Sequence, residues 1–277
     1  MALPPPPLPG TLTQPHPTRA RVYCKIPRYR TVLDILRNNA KLEHLYQSTA
    51  VRACQFCVRY ERKQEFRRLC DLLRFHLQQV LKYTNQTNSI DLNNPESLQI
   101  HLETRFEQLN SAAKLQLWQE AYKAIEEISS LMDNSKKSPR AQVLAVYFRK
   151  LSQVFWMSHD HVFHATALHR LHQLTQESKK VVRSQDIRHI SNCVLLSTLT
   201  VPIASADTEV KAVDSYHKAS AVVDKLVRLA VLVGVTAVPT RDDLVGDMLK
   251  RRILETVDLS LKPLYVQCRA VRWCRFP

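Results

Sequence analysis

Only three glycines, Gly10, Gly234 and Gly246, occur in 277 residues, and this scarcity constrains the fold more than any motif does. Tight β-hairpin turns need positive φ, which glycine supplies most cheaply, and the chain contains no Asn-Gly, Asp-Gly or Gly-Gly pair. A hairpin-rich β protein is therefore disfavoured. The same shortage removes the glycine-dependent phosphate loops, dinucleotide fingerprints and nucleophile elbows, because none of them can be written with these three residues. The chain is expected to be all-α.

Helix grammar supports that class. In LNNPESLQIHLETRFEQL, residues 92–109, Asn94 is placed to cap, Pro95 to occupy the first helical position and Glu96 to complement the helix dipole. Leu98, Leu102, Phe106 and Leu109 then recur at steps of four, four and three, which predicts one buried face. Trp118, Ala121, Tyr122, Ile125, Ile128 and Met132 make a second stripe, and Leu144, Tyr147, Leu151, Val154 and Phe155 a third. Gly234 is placed to close a helix, and Thr240 with Asp243 to cap the next. The pattern over residues 31–265 predicts about nine helices joined by short loops, an arrangement of antiparallel pairs closer to an α-solenoid than to a four-helix bundle.

Composition sets the remaining bounds. The chain is 45% hydrophobic and 23% charged, ordinary for a folded domain with a substantial core. Eight of the fourteen prolines lie in the first 27 residues, so residues 1–29 are expected to be a disordered Pro-rich arm. Residues 30–265 are expected to form the helical domain and residues 266–277 an irregular basic tail. No apolar run is long enough for a membrane helix. Seven cysteines, an odd number without a secretory leader, read as reduced cytosolic thiols.

The formal charge is +15, but residues 1–30 hold five cations and no acid, and residues 262–277 hold four cations and no acid. Nine of the fifteen net charges thus sit at the ends, which leaves the body modestly basic. Within it, Lys136, Lys137 and Arg140, and Lys179, Lys180 and Arg183, cluster near predicted helix ends. They are candidate contacts for RNA or a ribosome, although a solvated basic face would carry the same residues. Arg62, Lys63, Arg67 and Arg68 form a further cluster.

Two groups invite a metal reading. Cys54 and Cys57, with Cys70 beyond, resemble half of a zinc site, but no second pair stands at suitable spacing, and Val51, Cys54, Cys57 and Val58 share a helical face. His161 with His164, and His169 with His172, are pairs three apart in HDHVFHATALHRLH, residues 159–172. The two pairs lie about 12 Å apart along a helix and cannot share one ion. The expectation is a packing helix with a histidine flank, with no metal, cofactor or catalytic residue. A metal-dependent enzyme using the His159–His172 segment is the alternative.

The strings RNNAKLEHLY, KQEFRRLCDLLRFHL, LNNPES, HLETR, LWQEAYKAIE, FHATALHRLHQL, VLLSTLTVPI and PTRDDLVGDML run in the order found in the PCI-domain scaffold family of eukaryotic translation initiation factor 3, which the chain resembles over about residues 31–265. The resemblance implies a right-handed α-solenoid of TPR-like repeats leading towards a PCI domain. It also implies a cytoplasmic, non-catalytic scaffold that assembles with other subunits of the factor, including another PCI subunit. Such a scaffold docks on the 40S ribosomal subunit, supporting recruitment of mRNA and initiator tRNA, with contacts to mRNA or rRNA and no membrane or small-molecule substrate. A scaffold of the proteasome-lid or COP9-signalosome type is the related alternative. The ends depart from the family pattern, so the chain is expected to be a fragment or a truncated gene product.

Overall fold

A computed structural model describes residues 25–83, 89–134, 139–177, 184–202 and 216–273. Among these residues there are twelve α-helices, one short 3-10 helix and no strand. The chain divides into two compact units, Met1–Ser111 and Ala112–Pro277.

In the first unit, helix α1 (Lys25–Leu36) packs on α2 (Glu43–Arg59) and α3 (Lys63–Lys82), and α4 (Pro95–Lys114) begins after them. α3 has the cleanest amphipathic spacing: Phe66, Leu69, Cys70, Leu73, Leu77 and Val80 are all buried on one stripe. Asn94 caps α4 as its position predicts, its Oδ1 accepting from the Glu96 backbone N–H at 3.1 Å. The single apolar face expected for α4 is too narrow, however. Leu102 and Leu109 are buried but Leu98 and Phe106 only half so, while Ser97, His101, Thr104, Arg105 and Gln108 are buried as well. This helix is enclosed on several sides, and its polar residues are held by bonds: Ser97 Oγ donates to Glu43 Oε1 at 2.9 Å, and Arg105 donates to the Leu73 carbonyl and to Gln108 Oε1, both at 2.7 Å.

The chain is interrupted between α1 and α2. Asn38 takes φ 56°, and Asn39 caps the 3-10 turn Ala40–Leu42 through the Lys41 N–H. Adjacent asparagines tolerate the left-handed conformation and compete for backbone bonds, which explains the interruption. At the N-terminal side, α1 starts at Lys25, inside the expected arm, because Pro27 lies in the first turn where its missing N–H breaks no bond. Likewise α12 (Lys262–Trp273) runs through most of the segment expected to be irregular, with Pro263 in its first turn. The remainder of the expected arm lies outside the described residues.

The second unit holds α5 (Trp118–Asp133), α6 (Ala141–Met157), α7 (His161–Glu177), α8 (Ser184–Thr200), α9 (Tyr216–Val233), α10 (Arg241–Lys250), α11 (Ile253–Thr256) and α12. α7 is its centre and packs against α6, α8, α9 and α10. A core of Leu168, Leu171, Val194, Leu195, Met248 and Ile253 joins α7 and α8 to α10 and α11. The stripes on α5 and α6 are buried largely as predicted, and the Tyr147 hydroxyl donates to the Leu232 carbonyl at 2.9 Å, tying α6 to α9.

Helix ends show how a glycine-poor chain turns corners. Gly234, φ 72°, closes α9 with paired bonds from its own N–H to the Val231 carbonyl and from Val235 N–H to the Ala230 carbonyl. The same 5→2 and 6→1 pairing ends α2, α4 and α6, but there the left-handed residue is Glu61, Gln116 or His159. The predicted Thr240–Asp243 capping box is present in full. A second break appears at Arg252, φ 52°, which separates α10 from α11.

Candidate interaction surface

Of the six cations singled out above, Lys136, Lys137, Lys179, Lys180 and Arg183 lie outside the described residues. Arg140 is exposed at the N-cap position of α6, where its side chain makes no capping bond. Lys63, Arg67 and Arg68 are exposed along α3, while Arg62 pairs with Glu65 at 3.6 Å. These positions can meet phosphate or carboxylate by charge, and nothing in their geometry forms an enclosed site.

The cysteine group proves to be core. Cys54, Cys57 and Cys70 are free thiols and almost fully buried. Burial pushes Cys57 up to about 12 and Cys54 well above the ordinary thiol value, the neighbouring cysteines adding to the effect on Cys54. Metal binding requires thiolate, so the environment favours the form that does not ligate. Among the described residues no three His, Cys, Asp or Glu side chains are grouped to hold a metal ion.

The histidine helix corrects the expectation of a flank. His164 is half-buried with Nδ1 at 2.8 Å from the Ser152 carbonyl, while His169 and His172 are buried. His169 Nδ1 lies 3.1 Å from Asp247 Oδ2 on α10, and its Nε2 lies 3.0 Å from Thr198 Oγ1 on α8. The Thr198 hydroxyl is also 2.7 Å from the Val194 carbonyl, to which it donates. The His164 and His169 imidazoles thus join α7 to α6, α8 and α10. Bonds from His169, then Arg251, hold the Asp247 carboxyl down at about 2.

A similar arrangement stands in the first unit, where the sequence pattern gave no sign of one. His76 Nε2 lies 3.0 Å from Asp34 Oδ1 and its Nδ1 3.1 Å from the Tyr46 hydroxyl. Burial raises Tyr46 to about 12 and, outweighing the Asp34 bond, lowers His76, so a neutral imidazole accepts from the phenol and donates to the carboxylate. The three groups come from α3, α2 and α1, and periodicity along any one of those helices carries no signal of the meeting. Nearby His101 is buried and pushed down to about 4, chiefly by burial and further by the Arg105 charge. The perturbed groups here are those that packing has neutralised.

Helices joined across their faces by buried polar bonds define a helical-repeat module. A family model described as eIF3a, PCI domain, TPR-like region, matches residues 27–269. The chain is 46% identical over 237 residues to the A subunit of eukaryotic translation initiation factor 3 from Mus musculus, covering 86% of this chain and 18% of that protein. The Homo sapiens A subunit gives 46% with 17% of its length covered, and that of Chaetomium globosum 42% over 250 residues with 23% covered. The chain belongs to the eIF3a family, the TPR-like, PCI-domain A subunits of eukaryotic translation initiation factor 3. It spans less than a quarter of the length of these relatives. Among the described residues no helix is long and apolar enough to cross a membrane.

Proposed function

We propose that the chain serves as a non-catalytic scaffold element of translation initiation factor 3 in the cytoplasm, holding other subunits of the factor, including another PCI subunit, through helix surfaces. The observation that carries this reading is the family match across residues 27–269, joined to relatives whose names make them subunits of that factor. Helical-repeat stacks present extended surface and few enclosed sites, which suits assembly better than turnover. Residues 30–265 form the body of the scaffold in this reading.

The finer part of the proposal concerns RNA. Lys136, Lys137, Arg140, Lys179, Lys180 and Arg183 contact rRNA of the small ribosomal subunit or mRNA through phosphates, contributing affinity without sequence preference. Such contacts support assembly of the preinitiation complex and recruitment of mRNA and initiator tRNA.

Recovery of the tagged full chain from cytosolic extract, with and without ribonuclease, tests both parts. Initiation-factor subunits retained after ribonuclease are expected, and proteasome-lid or COP9-signalosome subunits in their place would overturn the assignment of complex. Alanine at Lys136, Lys137, Lys179 and Lys180 is expected to weaken small-subunit binding and to flatten its dependence on salt. An unchanged salt slope would remove these residues from the interface.

A further inference from the structure

Consecutive helices α6, α7 and α8 leave an open groove of about 580 Å³ in the second unit. α7 packs on both neighbours and forms the floor with Leu168 and Leu171, while α6 and α8 supply the walls. Each wall presents one helical stripe: Arg149, Ser152 and Trp156 at steps of three and four on α6, and Asp186, His189, Cys193, Leu196 and Thr200 at alternating steps of three and four on α8. From Asp186 to Thr200 the groove extends about 21 Å at 1.5 Å per residue, room for some four turns of one further helix.

Two wall residues are large, apolar and solvent-facing: Trp156 is 49% exposed and Leu196 42%. The Trp156 ring is steadied 5.2 Å from the His164 ring, whose own Nδ1 is occupied by the Ser152 carbonyl. Arg149 and Asp186 are both exposed, and neither side chain has an ion pair or hydrogen bond among the described residues. The groove therefore offers an apolar bed with a cation on the α6 wall and an anion at the start of α8.

We propose that this groove is a docking site for an amphipathic helix of another protein chain, which seats leucine-like side chains between Trp156 and Leu196, sets a carboxylate against Arg149 and a lysine or arginine against Asp186. Charge complementarity selects this occupant over a nucleic acid. A phosphate backbone would meet the Asp186 carboxylate and a floor of leucines, with Arg149 as the one strong cation among the described residues that line the groove. The helix-in-groove mode, with anchors three or four residues apart, matches the wall spacing. This deepens the scaffold reading and rests on it for the existence of protein partners, while committing to a site and to the partner's chemistry.

The test is a display library of 16-residue peptides selected against the full-length protein, followed by fluorescence anisotropy of the best binders. The expected winners carry apolar residues at helical spacing with acidic and basic positions on opposite flanks. Arg149→Glu is expected to weaken them by tenfold or more, and exchanging the peptide's glutamate for lysine to restore the loss. Leu196→Asp is expected to abolish binding; both side chains are exposed, and circular dichroism verifies the fold, with Leu196→Ala taking its place should the aspartate lower Tm. The proposal is overturned if no peptide is enriched, if binding ignores these substitutions, or if an oligouridine RNA binds the groove and is lost with the same variants. Failure here with initiation-factor subunits still recovered from extract would reject the groove alone. Peptide binding without those subunits would reject the scaffold reading alone.

Discussion

His169 and Asp247 stand 78 residues apart in sequence, yet the imidazole Nδ1 of one lies 3.1 Å from the carboxylate of the other. The bond joins the central helix of the second unit to α10, and Arg251 completes the carboxylate's partners at 2.8 Å. Because Asp247 is held down at about 2, its contribution to stability is complete above the ordinary carboxylate value and is lost as pH falls towards 2. Asp247→Asn is expected to lower unfolding free energy by about 1–2 kcal/mol near neutral pH, discounted for a side chain one-third exposed. Urea titrations of both proteins between pH 7 and pH 2 should converge at the acid end; a constant gap would contradict the linkage.

In the first unit the sign is the same and the window different. His101 is neutral and held at about 4, whereas in the unfolded chain it titrates near 6.5. Below that value the unfolded state binds the proton first, so stability falls as pH drops from about 6.5 to about 4, by up to 3 kcal/mol. Replacing His101 with Phe is expected to flatten this dependence, and denaturant midpoints measured at half-unit pH intervals check it.

Glu61 and Gln116 occupy left-handed positions that close α2 and α4. A Cβ in this region costs about 1 kcal/mol or more, which glycine avoids at some loss of chain entropy. Glu61→Gly and Gln116→Gly should each stabilise by about 0.5–1 kcal/mol, read as a rise in Tm. A fall would mean that those side chains contribute contacts stronger than the strain.

Removing the Tyr147 hydroxyl leaves the Leu232 carbonyl buried without its donor. Tyr147→Phe is expected to cost about 1–2 kcal/mol in a denaturant titration, with little change in the slope of the transition.

Thiol reactivity separates core cysteines from the rest. Cys54, Cys57 and Cys70 should resist alkylation in the native protein while the partly exposed Cys193 reacts, as resolved by peptide mass spectrometry. Rapid labelling of Cys54 together with stoichiometric zinc in elemental analysis would revive the metal reading.

What could be read from residues alone was local. Asn94, Gly234 and the Thr240–Asp243 pair act within one turn of their own helix, and the stripes on α5 and α6, with half of that on α4, follow from the 3.6-residue period, so these helices and much of their inner faces were legible. The shortage of glycine settled the class for the same reason, since turn geometry is a near-neighbour property. Tertiary structure decided the rest. That α4 is enclosed on several sides, that His169 meets Asp247, and that His76 lies between Tyr46 and Asp34 depend on partners 30 to 78 residues away. So does the groove over α7, which exists only because α6 and α8 flank a common neighbour. Periodicity tells which side of a helix is apolar; which neighbour covers it, and which polar groups are drawn in with it, is fixed by packing across the whole unit.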